Sequence, residues 1–304
     1  MWFKNLQVFT LEQEWTLTPG ALEQTLAQQP LQPCPTMSLH SHGWVASADT
    51  PALVQGLGRQ LLIALGSEEK LLPSSVVNDA AAEYAAEWER SRGIKPGRKL
   101  MREFKERATA QLLPRAFVRR RRTLAWIDPA NRRIVVDAAS PTRAELLTEQ
   151  LRESLGGLEL SLPQTSHAPG ETMTGWLRAQ TAPGRFSLGE ECELSGSDDS
   201  KPVVRYLRHP LLAEQLRRHF DASFRASRLA LLWNNRISLL VDDKLQIRRV
   251  RFLDLEQAEH EPTELPPEQR FEAEFALMTG DYALMLDDLF EAFGAAIKVN
   301  VNRP

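Results

Sequence analysis

The chain has little cysteine, and its two thiols, Cys34 and Cys192, are too far apart for a metal knuckle or a disulfide framework. That scarcity predicts a reducing, intracellular setting. No apolar run approaches the roughly 20 residues a membrane span needs, and the opening Met1-Trp2-Phe3-Lys4 lacks the apolar stretch of a secretory signal. The expectation is a soluble cytoplasmic protein with no membrane partner. Catalytic motifs are missing as well: there is no Gly-x-Ser-x-Gly elbow, and Lys95-Pro96-Gly97-Arg98-Lys99 is a charged turn without the first glycine of a phosphate-binding loop. Neither a cofactor nor a bound metal is expected.

At 304 residues and 42% hydrophobic content, the chain can bury a substantial core and is long for one compact domain. Its net charge of -3 hides a strong segregation. From Arg90 to Arg133 there are fifteen basic residues against three acids, Glu103, Glu106 and Asp128. A second basic stretch runs from Arg217 to Arg251, and the balancing acids gather late, between Asp254 and Glu274 and again at Asp287, Asp288 and Glu291. One electropositive surface with an acidic face elsewhere follows.

Periodicity predicts an α+β fold with antiparallel sheets and packed helices in two lobes. Near-alternation over 2–11 predicts a first strand, and Thr18-Pro19 starts a short helix. Residues 37–46 and 60–65 read as strands, the latter stopped by Gly66. Val77, Ala81, Tyr84, Ala85 and Trp88 recur at helical spacing, as do Met101, Phe104, Ala108 and Leu112 after the turn at 95–97. These two helices form a projecting finger. A hairpin at 123–136 turns on Asp128-Pro129-Ala130-Asn131, and a helix follows Ser140-Pro141. Residues 161–170 read as a linker and 184–202 as a mobile loop. A helix after Pro210, a meander over 229–252, a strand over 271–277 and a last helix capped by Thr279-Gly280-Asp281 complete the chain, with residues beyond Gly294 frayed. Residues 1–74 with 113–160 then make a central domain, 75–112 the finger, and 161–304 a C-terminal base.

The stretch Leu112-Leu113-Pro114-Arg115-Ala116-Phe117-Val118 leads into four consecutive guanidiniums, Arg119, Arg120, Arg121 and Arg122. Four adjacent arginines repel one another and cannot all find local carboxylates, so a polyanion is the natural partner. A solvated basic edge strand is the plainer reading. With Lys95, Arg98, Lys99, Arg102 and Lys105 on the finger, the run can neutralise many phosphates without reading sequence. Along a strand only two of the four point to either face. Phe117, after a proline corner, is either an ordinary core side chain or an exposed aromatic suited to a partner. His40 and His42 share a side of a strand without a ligand set around them. Asp242-Asp243 and Asp287-Asp288 keep a metal-dependent nuclease open, and a basic protein-interaction module is a third class.

Taken together, Trp2-Phe3-Lys4-Asn5-Leu6, Gly43-Trp44-Val45, Glu69-Lys70-Leu71-Leu72-Pro73, Leu112-Leu113-Pro114-Arg115-Ala116-Phe117, Trp126-Ile127-Asp128 and Leu277-Met278-Thr279-Gly280 resemble the RdgC family of recombination-associated proteins. The resemblance covers nearly the whole length. It implies a ring-shaped homodimer, without catalytic activity, that encloses double-stranded DNA, with single-stranded DNA a further candidate, and restrains RecA. A nucleoid-associated location goes with it. It further implies that Phe117, with Arg115 in the same motif, makes a subunit contact, and that Arg208 contributes to DNA binding, although its neighbour His209 departs from the family pattern.

Overall fold

The computed structural model describes residues 2–48, 51–198, 200–253 and 266–295. The fold is α+β, with one large antiparallel sheet and seven α-helices among the described residues. Strands β1 (Leu6–Leu11), β2 (His40–Val45), β3 (Val54–Leu57), β4 (Gln60–Leu71), β5 (Phe117–Asp128), β6 (Arg133–Asp137) and β7 (Leu160–Ser161) belong to the first half. The second half supplies β8 (Phe186–Ser195), β9 (Val203–Leu207), β10 (Arg225–Trp233), β11 (Ile237–Asp242) and β12 (Ile247–Phe252). Helices are α1 (Pro19–Leu26), α2 (Ser74–Arg92), α3 (Arg98–Leu112), α4 (Pro141–Ser154), α5 (Pro169–Ala179), α6 (Ala213–Asp221) and α7 (Pro267–Ala292).

Instead of a sheet in each lobe there is one sheet in the order β2-β4-β5-β6-β1-β12-β11-β10-β8-β9. The seam is β1 against β12, where Leu6 faces Ile247. β7 covers the far end of β1 at Thr10 and Leu11, and the near end meets β12, where the Val250 amide also donates to the Lys4 carbonyl at 2.9 Å.

One core packs α1 and α4 onto the first half through Leu22, Leu26, Leu147 and Leu151 against Leu61, Ile63, Ile127 and Ile134. The opposite face of the same strands, with Leu62, Trp126 and Val135, belongs to the second core, together with α5, α6 and α7. Helix α7 spans the seam. Tyr282 donates its hydroxyl hydrogen to the carbonyl of Phe3 at 2.7 Å. Arg133 reaches Asp128 and Asp287, both at 3.0 Å, and donates to the carbonyl of Ala283 at 3.1 Å. From the other half, Arg185 and the Trp233 indole both bind Asp288 at 2.6 Å.

Four expectations fail for identifiable reasons. Gly66 does not end its strand, because β4 continues to Leu71. Its missing side chain answers close packing: a Cβ there would sit 2.6 Å from Val45 Cγ1 and 2.8 Å from Leu31 Cδ2. The 184–202 segment is mostly β8, whose inward Phe186, Leu188, Cys192 and Leu194 are interrupted by the exposed Glu190 where the strand bulges. Residues 271–277 are helical, and Thr279-Gly280-Asp281 lies inside α7. There Phe275, Met278, Tyr282, Met285 and Leu289 bury at helical spacing, while Leu277 and Leu284 stay exposed. Helix α5, read as loop and unassigned chain, begins at the proline that marked the linker. The late acids from Asp254 to Glu264, and the chain from residue 296 read as frayed, lie outside the described residues.

Burial also separates the two thiols. Cys192 is buried, and desolvation pushes its pKa up to about 12. Alkylation of the folded protein at pH 8 is therefore expected to modify Cys34 and spare Cys192. Mass spectrometry after brief iodoacetamide treatment checks this, and two labels per chain would contradict the packing.

Candidate nucleic-acid interface

The finger has a core of its own. Ala81, Phe104 and Ala108 are buried between α2 and α3, with Tyr84 and Trp88 at 6.1 and 6.3 Å from the Phe104 ring. Because Leu100, Met101, Phe104 and Ala108 take the inner face of α3, the remaining positions are forced outward. Arg98, Lys99, Arg102 and Lys105 are all exposed, as is Lys95 in the turn. Arg102 pairs with Glu106 at 3.0 Å, and Arg107 lies over the Tyr84 ring at 4.5 Å. Lys95, Arg98, Lys99 and Lys105 make no ion pair among the described residues.

A 3-10 turn at Leu113–Arg115 leads from α3 into β5, and Arg115 is exposed beside it. Phe117 is 84% exposed, and its cross-strand partner Leu71 is 42% exposed. The aromatic is therefore not a core side chain. A recess of about 390 Å³ lined by Leu39, Leu71 and Pro73 lies at the same end of the strands.

The four arginines continue β5 opposite β4. The register sets Arg119 against Glu69, Arg120 against Glu68, Arg121 against Ser67 and Arg122 against Gly66. Strand alternation puts Arg119 and Arg121 on the face shared with Phe117, and Arg120 and Arg122 on the face shared with Val118. Arg119 binds Glu69, and Arg120 binds Glu68 at 2.8 Å. Glu68 also accepts the Cys34 amide at 2.8 Å, and that bond together with Arg120 holds its carboxyl below the ordinary carboxylate range. The Arg119 hydrogen bond does the same for Glu69. Two of the four charges thus have local carboxylates. Arg121 and Arg122 make no ion pair among the described residues, although Arg121 lies near enough to Glu69 to help lower its pKa; Arg122 donates to the Ala46 carbonyl at 3.2 Å.

The second basic stretch behaves differently. Glu193 binds Arg205 at 2.6 Å and Arg228 at 3.4 Å; Asp242 lies 3.8 Å from Arg248, and Arg236 pairs with Asp281 at 3.1 Å. Burial pulls the Glu193 carboxyl up, but hydrogen bonds from Arg205 and Ser227 leave it below its ordinary value. Arg208, just after β9, is exposed and far along the sheet path from the finger strands.

The acidic pairs weighed as metal ligands are occupied structurally. Asp242 accepts the amides of Lys244 and Gln246 at 3.0 and 2.9 Å, closing the turn after β11, while Asp287 and Asp288 hold Arg133 and Arg185. Among the described residues no three His, Cys, Asp or Glu side chains gather as a metal site, and no helix is long and apolar enough to cross a membrane.

Fold and site define a class of α+β protein that carries cations without ion pairs on a helical finger and on the strand leaving it, while most arginines of its second half are tied to carboxylates. A family model described as "Putative exonuclease, RdgC" matches residues 1–296. The chain belongs to the RdgC family. Similar relatives are the recombination-associated protein RdgC of Cupriavidus pinatubonensis, 42% identical over 98% of this chain and 100% of its own, and that of Dechloromonas aromatica, 40% identical over 98% and 99%. The protein of that name from Burkholderia cenocepacia is 40% identical over 100% of this chain and 99% of its own.

Proposed function

We propose that this protein acts in recombination as a non-catalytic, sequence-independent DNA-binding homodimer that closes into a ring around duplex DNA and restrains RecA-mediated exchange. The observation that carries the reading is the contrast in charge pairing. Lys95, Arg98, Lys99, Lys105, Arg121 and Arg122 make no ion pair among the described residues, whereas most arginines of the second half are paired locally. Unpaired cations on one contiguous finger and strand suit a phosphate backbone and make no commitment to base sequence. Arg208 joins them as a contact from the base, and the relatives' names supply the link to recombination. In this reading 75–112 is a finger on a central domain of 1–74 and 113–160, with 161–304 as base, and the protein sits on the nucleoid.

Anisotropy with two duplexes of unrelated sequence tests the proposal: equal affinities that fall steeply with salt are expected. Affinity independent of salt, or absent at low salt, sinks it. The description of the matching family as an exonuclease favours a nuclease as the second reading. Supercoiled plasmid incubated with the protein and Mg²⁺ or Mn²⁺ should remain intact, and nicking or shortening would move the assignment to that class.

Phe117 and Arg115 we assign to the subunit contact, since an aromatic exposed to this extent at the end of two strands fits burial against a second copy. Phe117→Ser should shift the dimer toward monomer in light scattering without lowering the thermal midpoint of the monomer. An unchanged dimer would remove Phe117 from the contact.

A further inference from the structure

The second half of the sheet has α5, α6 and α7 on one face, and no described helix on the other. On this open face the register lines up two rows across β10, β11 and β12: Leu232, Ser238 and Arg251, then Ala230, Leu240 and Arg248. Each row passes from apolar to cationic. The strands flanking β10 and β11 both bulge. From Leu188 to Cys192, β8 takes four steps where β10 takes two, and from Arg248 to Arg251, β12 takes three where β11 takes two. Two strands separate β8 from β12, yet Glu191 and Arg249 meet at 2.5 Å. The bulges therefore lift these side chains over the open face, where they bridge it.

Under the bridge lies a groove of about 620 Å³. That is within the range of small-molecule sites, roughly 300–1,000 Å³. Gly189 lets the bulged strand ride close, since a Cβ there would meet the Ala230 Cβ at 2.9 Å. Arg208 also lines the groove and makes no ion pair among the described residues. Arg208 and Arg249 both have φ of 52°. Left-handed backbone is unfavourable for a residue with a side chain, and it persists where the surroundings hold it, often at ligand clamps.

We propose that this groove binds a nucleotide, with the flat base over Ala230, Leu232 and Leu240 and the phosphate on the guanidinium of Arg208, sharing Arg249 with Glu191. Planar guanidinium forks match phosphate oxygens, and the apolar floor accepts a ring face. The source of that chemistry is a free mononucleotide or the phosphorylated end of a DNA strand; only the second rests on the DNA-binding reading above.

Titration of the full-length protein with dAMP, deoxyadenosine and inorganic phosphate, followed by ligand-observed NMR, tests the site. Binding of dAMP is expected, with each of its halves at least tenfold weaker. Ser238→Glu sets a carboxylate in the groove lining and should weaken dAMP at least tenfold, whereas Ser238→Ala should not. No dAMP binding at millimolar concentration, or equal binding by Ser238→Glu, overturns the proposal. Displacement of dAMP by a 5′-phosphorylated oligonucleotide assigns the site to strand ends, and failure to displace it assigns the site to free nucleotide. The two readings fail separately: dAMP binding is measured without DNA, so absence of closed circular plasmid binding by the parent protein would strike the DNA reading and leave the groove standing.

Discussion

Replacement of Arg119, Arg120, Arg121 and Arg122 together by Ala is expected to weaken binding to every duplex alike and to flatten its salt dependence. Each phosphate that is no longer neutralised should reduce the slope of log affinity against log salt by about 0.9. The four will not contribute equally. Arg119 and Arg120 already answer Glu69 and Glu68, so a phosphate must share or displace an existing partner. Arg121 and Arg122 have no ion pair to surrender among the described residues, Arg121 feeling Glu69 only at longer range. The pair variant Arg121→Ala/Arg122→Ala should therefore lower the slope by about 1.8 if both arginines meet a phosphate. Arg119→Ala/Arg120→Ala should lower it less. Affinity titrated between low and physiological salt decides the matter, and equal slopes for both pair variants would show that local pairing does not set the contribution.

The second large effect is on stability. Arg133 and Asp128 are both buried, and Asp128 is held by Arg133, by both nitrogens of Asn131 and by Gln60. Arg133→Ala leaves this buried carboxylate without its cation and removes one partner of Asp287. Breaking a buried pair in this way costs about 3–5 kcal/mol. The same guanidinium binds α7 through Asp287 and the Ala283 carbonyl, so detachment of that helix should accompany the loss. Urea unfolding with fluorescence and hydrogen exchange over 275–290 measures both. A loss below about 1 kcal/mol, typical of an exposed pair, would mean that water already reaches the site.

The finger was readable from sequence because everything that makes it is local. Val77, Ala81 and Tyr84 on one helix, and Met101, Phe104 and Ala108 on the next, set its inner face without help from the rest of the chain, and the outward cations follow. The same holds for the caps: Thr18 accepts the amide of Ala21 at 3.2 Å, and Gly93 ends α2 with φ of 68°. What could not be read depended on partners distant in sequence. Glu68 and Glu69 gain their meaning only when β4 finds β5 across the finger, and no local spacing gives that register. In β8 the exposed Glu190, at the bulge, interrupts the apolar alternation that marks a strand. In 271–277, Phe271, Ala273, Phe275 and Leu277 alternate by accident, while the helical set Phe275, Met278 and Tyr282 is decided by the surface waiting for it. Phe117 was ambiguous for the same reason, because exposure belongs to the assembled sheet.

Helix α7 also orders events in time. It covers Leu62, Trp126 and Val135 and closes on the carbonyl of Phe3, so one apolar side of the first half has no cover until residues near 290 have been made. At about 5–20 residues per second, the interval between β1 and α7 on the ribosome is on the order of tens of seconds. During that interval the nascent chain carries an open hydrophobic sheet face, and β1 lacks the neighbour it finds in β12. A ribosome stalled short of α7 therefore presents a natural client for chaperones, and completion of the last helix is the step that seals the first strand.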